Sequence, residues 1–117
     1  MGEMSMVKLE IFILLSSLEQ LRTTLRSVGA GAFGNYDSVL SYSRVKGSWR
    51  ALEGANPHIG EIGVTCEEDE YKVEVCCSIE NLEQTIRAIR EVHPYEEPVI
   101  NVIPLIVPGE IKERRKI

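Results

Sequence analysis

His93, Tyr95, Glu96 and Glu97 stand together in the segment His93-Pro94-Tyr95-Glu96-Glu97-Pro98. An imidazole and carboxylates at this spacing could hold a divalent metal or a polar ligand. The same histidine could equally close a helix end and hydrogen-bond a carboxylate, while Pro94 and Pro98 stiffen the turn. His58 follows Asn56-Pro57 in a loop, a common setting for binding residues. The metal candidates are therefore His58, His93 and Glu96. Asn35, Tyr36, Asp37, Trp49, Asn56 and Tyr95 are candidates for lining a ligand cleft, although Asn-Tyr-Asp after a glycine is also ordinary turn chemistry. Nucleophilic catalysis has no support: no serine sits in a G-x-S-x-G elbow, and no cysteine has a histidine beside it in sequence.

Most of these residues fall within Gly29 to Gly63, which holds seven of the nine glycines and the only tryptophan. Glycine at that density implies turns that need positive φ or close backbone approach. Gly29-Ala30-Gly31-Ala32-Phe33-Gly34 matches the dinucleotide fingerprint G-x-G-x-x-G. That motif binds a pyrophosphate only when it follows a strand and opens a helix. Here it closes a helix and leads into a strand, and no acidic residue ends a second strand about 20 residues on. Gly29 reads as a helix C-cap.

The positioning elements follow from periodicity. Met6 to Leu15 alternates as a strand, with Val7, Leu9, Ile11, Ile13 and Leu15 on one face. Ser17 is a candidate N-cap, with Gln20 at capping-box spacing, for a helix that buries Leu18, Leu21, Leu25 and Val28. Ser38 to Lys46 reads as a second strand that turns at Gly47-Ser48 into a short return near Trp49 to Leu52. Val64 to Glu70 is acidic and reads as a connection, and Tyr71 to Ser78 as the third strand. A second helix starts at Asn81, carries Leu82, Ile86, Ile89 and Val92, and stops at His93-Pro94. Glu97 to Val107 is the fourth strand, with Pro104 placing it at an edge.

Ser17 to Val28 aligns without gaps on Asn81 to Val92. The order is thus two β-α-β halves, giving an α+β, ferredoxin-like βαββαβ sandwich with both helices on one face. An extra hairpin is expected in the glycine-rich segment. Each candidate segment lies where a helix hands over to a strand, so the glycine-rich stretch and His93–Pro98 are expected to meet in one cleft.

The chain of 117 residues is the size of one domain, with a core at about 6–107 and a basic tail at 108–117. A net charge of −5 argues against nucleic acid. No apolar run is long enough to span a membrane, and no signal-peptide pattern precedes Ile11 to Leu15. Cys66, Cys76 and Cys77 form neither C-x-x-C nor an even framework, which points to a reducing, cytoplasmic setting and to cysteines acting as small hydrophobes.

Three segments in order, Gly29-Ala30-Gly31 to Gly34-Asn35-Tyr36-Asp37, Gly54-Ala55-Asn56-Pro57-His58-Ile59-Gly60, and His93 to Pro98, resemble the inserted domain of the NIF-three-like (NGG-interacting-factor-three) family. That domain is similar to the PII and CutA proteins. In the full-length family it sits near the opening of a dinuclear metal site carried by two lobes. This chain has no room for the lobes, so the resemblance implies a stand-alone version. It implies a non-enzymatic, oligomeric binding or sensing module that takes a small molecule or divalent metal in an inter-subunit cleft. The alternative is an accessory domain that docks onto a separate dinuclear-metal, hydrolase-like protein. Strand four supports an oligomer: Val99, Ile103, Leu105 and Val107 lie on one face and Ile100, Val102 and Ile106 on the other, with Phe12 and Leu14 joining the second. Exposing both would leave apolar surface wet. The choice of a homotrimer comes from the PII/CutA resemblance.

Overall fold

In strand β1, Met6–Leu14, every second residue from Val7 to Ile13 is buried. The computed structural model describes residues 5–106. After β1 come helix α1 (Leu18–Ser27), strands β2 (Leu40–Arg50) and β3 (Thr65–Ser78), helix α2 (Leu82–Val92) and strand β4 (Ile100–Leu105). The sheet order is β2-β3-β1-β4, and every pairing is antiparallel. Val7, Leu9, Ile11 and Ile13 join Val73, Val75 and Cys77 of β3 under Leu18, Leu21 and Leu25 of α1 and Ile89 of α2. One face of the sheet therefore carries both helices, as the ferredoxin-like order requires. Among the described residues no helix is long and apolar enough to cross a membrane.

The internal repeat is visible in the backbone. Each helix is entered through a 3-10 turn, Leu15–Ser17 or Ile79–Asn81. Ser17 (φ −100°, ψ 2°) and Asn81 (φ −97°, ψ 4°) adopt nearly the same angles. Neither makes a side-chain capping bond, because the 3-10 turn already leads the chain into the helix. The capping box expected at Ser17 is therefore absent.

Two boundaries around the glycine-rich segment differ from expectation. β2 does not turn at Gly47-Ser48; it stays paired with β3 from Leu40 to Arg50. Val64 to Glu70 is not a connection, since β3 starts at Thr65 and pairs there with Arg50. The acidic residues misled because this half of β3 extends past Glu70, the last residue paired with β1, and so needs no apolar helix-side face. In place of the expected extra hairpin, β2 and β3 form one long arm, which helps to stretch the molecule to 60 × 25 × 24 Å. Val107 and the basic tail lie outside the described residues.

The open face holds a lattice of opposite charges on the central strands. Lys8 Nζ lies 2.8 Å from Glu74 Oε1 and Lys72 Nζ 3.5 Å from Glu10 Oε2. On β4, register opposes Leu9 with Val102 and Lys8 with Ile103. Phe12 and Leu14 therefore share their face with Ile103 and Leu105, not with Val102, which corrects the expected grouping.

Gly31 closes the loop between α1 and β2. Its N–H donates to Cys76 O at 2.8 Å and its carbonyl accepts from Val39 N–H at 2.9 Å. Its φ is +76°, and an added Cβ would lie 2.7 Å from Val39 O. Gly31→Ala should therefore destabilise the fold by about 2 kcal/mol, read as a lower urea midpoint with an unchanged slope.

Candidate functional site

Past the end of β1, the arm formed by β2 and β3 runs on with Val45, Gly47 and Trp49 on its open face. The loop from Ala51 to Gly63 folds beside it, and Tyr95 to Val99 closes the other side. A cleft of about 600 Å³ lies between them, walled chiefly by Phe12, Trp49, Pro57, Ile59, Tyr95 and Val99. His58, Glu70, Glu96 and Glu97 also line it. The indole N–H of Trp49 donates to Ile59 O at 3.1 Å, and Asn56 N–H donates to Glu96 Oε1 at 2.9 Å. These bonds tie the loop to the strand and to the segment after α2.

His93 holds that segment in place. Its Nδ1 accepts the Tyr95 N–H at 3.2 Å, so Nε2 carries the proton and donates to Phe12 O at 2.7 Å. The ring is buried. Burial lowers its pKa, outweighing the Phe12 carbonyl and the more distant Glu70, which both favour the charged form. The bonding partners are backbone groups instead of the carboxylate expected for a histidine closing the helix end.

Tyr95 lies between His93 and Trp49, with ring centroids 5.0 and 5.3 Å away. Its hydroxyl donates to Glu70 Oε2 at 2.6 Å. Burial, followed by that bond to a carboxylate, raises its pKa further above the usual tyrosine value, so it remains a donor. Glu70 is only 4% exposed, and its carboxylate lies over Gly47, where any Cβ would collide with it. That close approach explains a glycine in mid-strand. Tyr95→Phe would leave the buried carboxylate without this donor and should cost about 2 kcal/mol, measured by chemical denaturation.

Of the candidate residues, Trp49, Asn56, His58, Tyr95 and Glu96 gather at or beside the cleft, and His93 supports it from behind. Asn35, Tyr36 and Asp37 do not join them. Phe33 and Tyr36 bridge each other in the loop anchored by Gly31 at Cys76, whereas Trp49 pairs with Cys66. Ten residues of β3 separate Cys66 from Cys76, roughly 30 Å of extended strand. The two helices of the repeat run in opposite directions along the sheet, so their C-termini, and the loops after them, point to opposite ends.

Nor do His58, His93 and Glu96 make a metal donor set as placed. Both nitrogens of His93 are engaged, and the described residues contain no group of three or more His, Cys, Asp or Glu arranged to hold an ion. Glu70 was missed in the sequence because its segment read as a connection. The available signal was Gly47 beside a β-hairpin arm rich in carboxylates.

No protein-family profile matches the chain. A "GTP cyclohydrolase 1 type 2 homolog" from Halalkalibacterium halodurans is 34% identical over 106 residues, covering 91% of this chain but 28% of the relative. The crystal structure of a Bacillus cereus protein related to NIF3 superposes with a TM-score of 0.77 at 28% identity, over 89% of this chain and 26% of that one. The divalent cation tolerance protein CutA of Archaeoglobus fulgidus superposes with a TM-score of 0.65 at 15% identity, over 92% of both chains; that likeness shows the fold. The chain spans little more than a quarter of the curated relatives it matches.

Proposed function

We propose that this chain, a counterpart of one segment of the NIF3-related proteins with a CutA-like fold, is a non-enzymatic binding module whose ligand occupies the cleft at Trp49 and Tyr95. The observation that carries this reading is the cleft itself. It is large enough for a small organic molecule, and its walls come from the β2–β3 arm, the loop after β2 and the segment after α2. Its aromatic pair is held by named hydrogen bonds and not by loose packing. Oligomerisation belongs to the same reading: β4 is an edge strand, Val99 is 53% exposed beside the cleft, and a homotrimer would set a neighbour against both.

Trp49 is the only tryptophan, so its emission reports on the cleft directly. Calorimetry and emission titrations with zinc, copper, nucleotides and small organic compounds should find a saturable ligand. Ala55→Phe, placing bulk in the cleft from an exposed loop position, should abolish that binding. Undiminished binding to this variant would move the site elsewhere.

A second reading, docking onto a separate metal-bearing protein, is favoured by the matched segment being 28% of its relative's length. Direct binding to a separately produced protein equivalent to the rest of that relative would support it.

A further inference from the structure

We infer that the cleft takes an organic cation, an ammonium or guanidinium on an apolar body, with its charge against Glu70 and its body along Trp49 and Tyr95. This rests on the cleft being a ligand site and names the ligand's chemistry. Glu70 is a buried carboxylate in the wall of an open cavity. Its hydrogen-bond partner is the neutral hydroxyl of Tyr95. None of the ion pairs among the described residues includes it. His93, buried behind Tyr95, presents its nitrogens to backbone groups.

A buried charge without a counter-charge is costly. A ligand that brings the opposite charge recovers that cost on binding. The rest of the wall fits the same chemistry. Trp49 and Tyr95 supply π faces that attract cations, Glu96 and Glu97 add negative charge at the rim, and Phe12, Pro57 and Ile59 supply apolar surface. Two basic residues also border the cleft: Lys46 is paired with Asp69 at 3.1 Å, and Arg50 is exposed on β2. Neither is ion-paired with Glu70. An anionic ligand would have to enter against the Glu70 charge.

The test uses the full chain and three compounds of one shape: 2-phenylethylamine, 2-phenylethanol and phenylacetate, followed by Trp49 emission and calorimetry. The amine should bind at least about tenfold more tightly than the alcohol, and the acid should not bind. Glu70→Gln should remove the preference, so that this variant binds amine and alcohol with equal affinity. Glu53→Gln, an exposed acid outside the cleft lining, should change the amine by no more than about twofold. Equal binding of amine and alcohol by the unaltered protein would overturn the cation assignment while leaving the cleft as a site, and it needs no variant to fold. If none of the three binds but an anion such as a nucleotide does, the assignment is likewise overturned. If no compound of any charge binds, the ligand site itself falls. A Glu70→Gln protein that loses oligomer mass, with no amine binding before the change, would show that the counter-charge is a side chain of a neighbouring copy and would also overturn the proposal.

Discussion

His93→Ala should cost the fold about 3–4 kcal/mol and should remove the cleft at Tyr95 with it. Three losses combine. The Phe12 carbonyl and the Tyr95 N–H lose their partners at 2.7 and 3.2 Å, and the buried imidazole leaves a void against Tyr95. Each lost hydrogen bond inside the protein costs about 1–3 kcal/mol when the other partner remains buried. The consequence for the site is mechanical: His93 joins the segment after α2 to β1, and Tyr95 can cover Glu70 only while that join holds. Urea denaturation should show the lower stability, and Trp49 emission should shift to longer wavelength before global unfolding.

The same residue predicts a pH dependence. Burial holds the folded-state pKa of His93 below its unfolded value near 6.5. As pH falls, the unfolded chain therefore takes up this proton first, which favours unfolding. The contribution is fully present above about pH 6.5 and is lost progressively as pH falls from there through the folded-state pKa. His93→Gln, which keeps hydrogen-bonding capacity but cannot titrate, should flatten this part of the profile. Parallel slopes for the two proteins just below pH 6.5 would show that His93 is not the group responsible.

What the sequence made legible was set by local pattern. The alternation of β1, the apolar stripe of α1 and the repeat between Ser17–Val28 and Asn81–Val92 all survive as structure, because each is decided within a dozen residues by which side faces the helices. The site was legible only by half. His93–Pro98 and the loop around Asn56–His58 do meet Trp49, but Tyr36 belongs to the far end of the sheet. The repeat itself contained that answer: two β-α-β halves related by a two-fold place the helix C-termini apart. Glu70 was hidden for a different reason. A buried acid in a projecting hairpin arm looks like solvent-facing sequence until Tyr95, 25 residues later, folds over it. Thr85 was hidden too; it is fully buried in α2 because its hydroxyl bonds back to Asn81 O at 2.7 Å, which removes the usual cost of a buried hydroxyl.

For the homotrimer proposed above, Ile103→Glu should convert an assembly near three times the 13.2 kDa chain mass to a monomer, as read by light scattering at micromolar concentration. β4 is an edge strand, and its open face presents Ile103 and Leu105 beside the charged lattice of β1 and β3. The apolar side chains there and at Phe12 gain about 25 cal/mol for each Å² removed from water, and an uncovered apolar edge invites pairing with another chain. A charge at Val102, the substitution suggested by strand pattern alone, would confuse assembly with folding, because Val102 stands opposite Leu9 of the core. Ile103 stands opposite Lys8 on the face away from the helices, so a glutamate there does not enter the helix-side core and the monomer fold is spared. Circular dichroism should therefore match the unaltered protein while the mass falls. A variant that keeps the full assembly mass would show that the open face of β4 is not the contact. An unaltered protein that is already monomeric would remove the oligomer from the proposed function and leave the cleft to act within one chain.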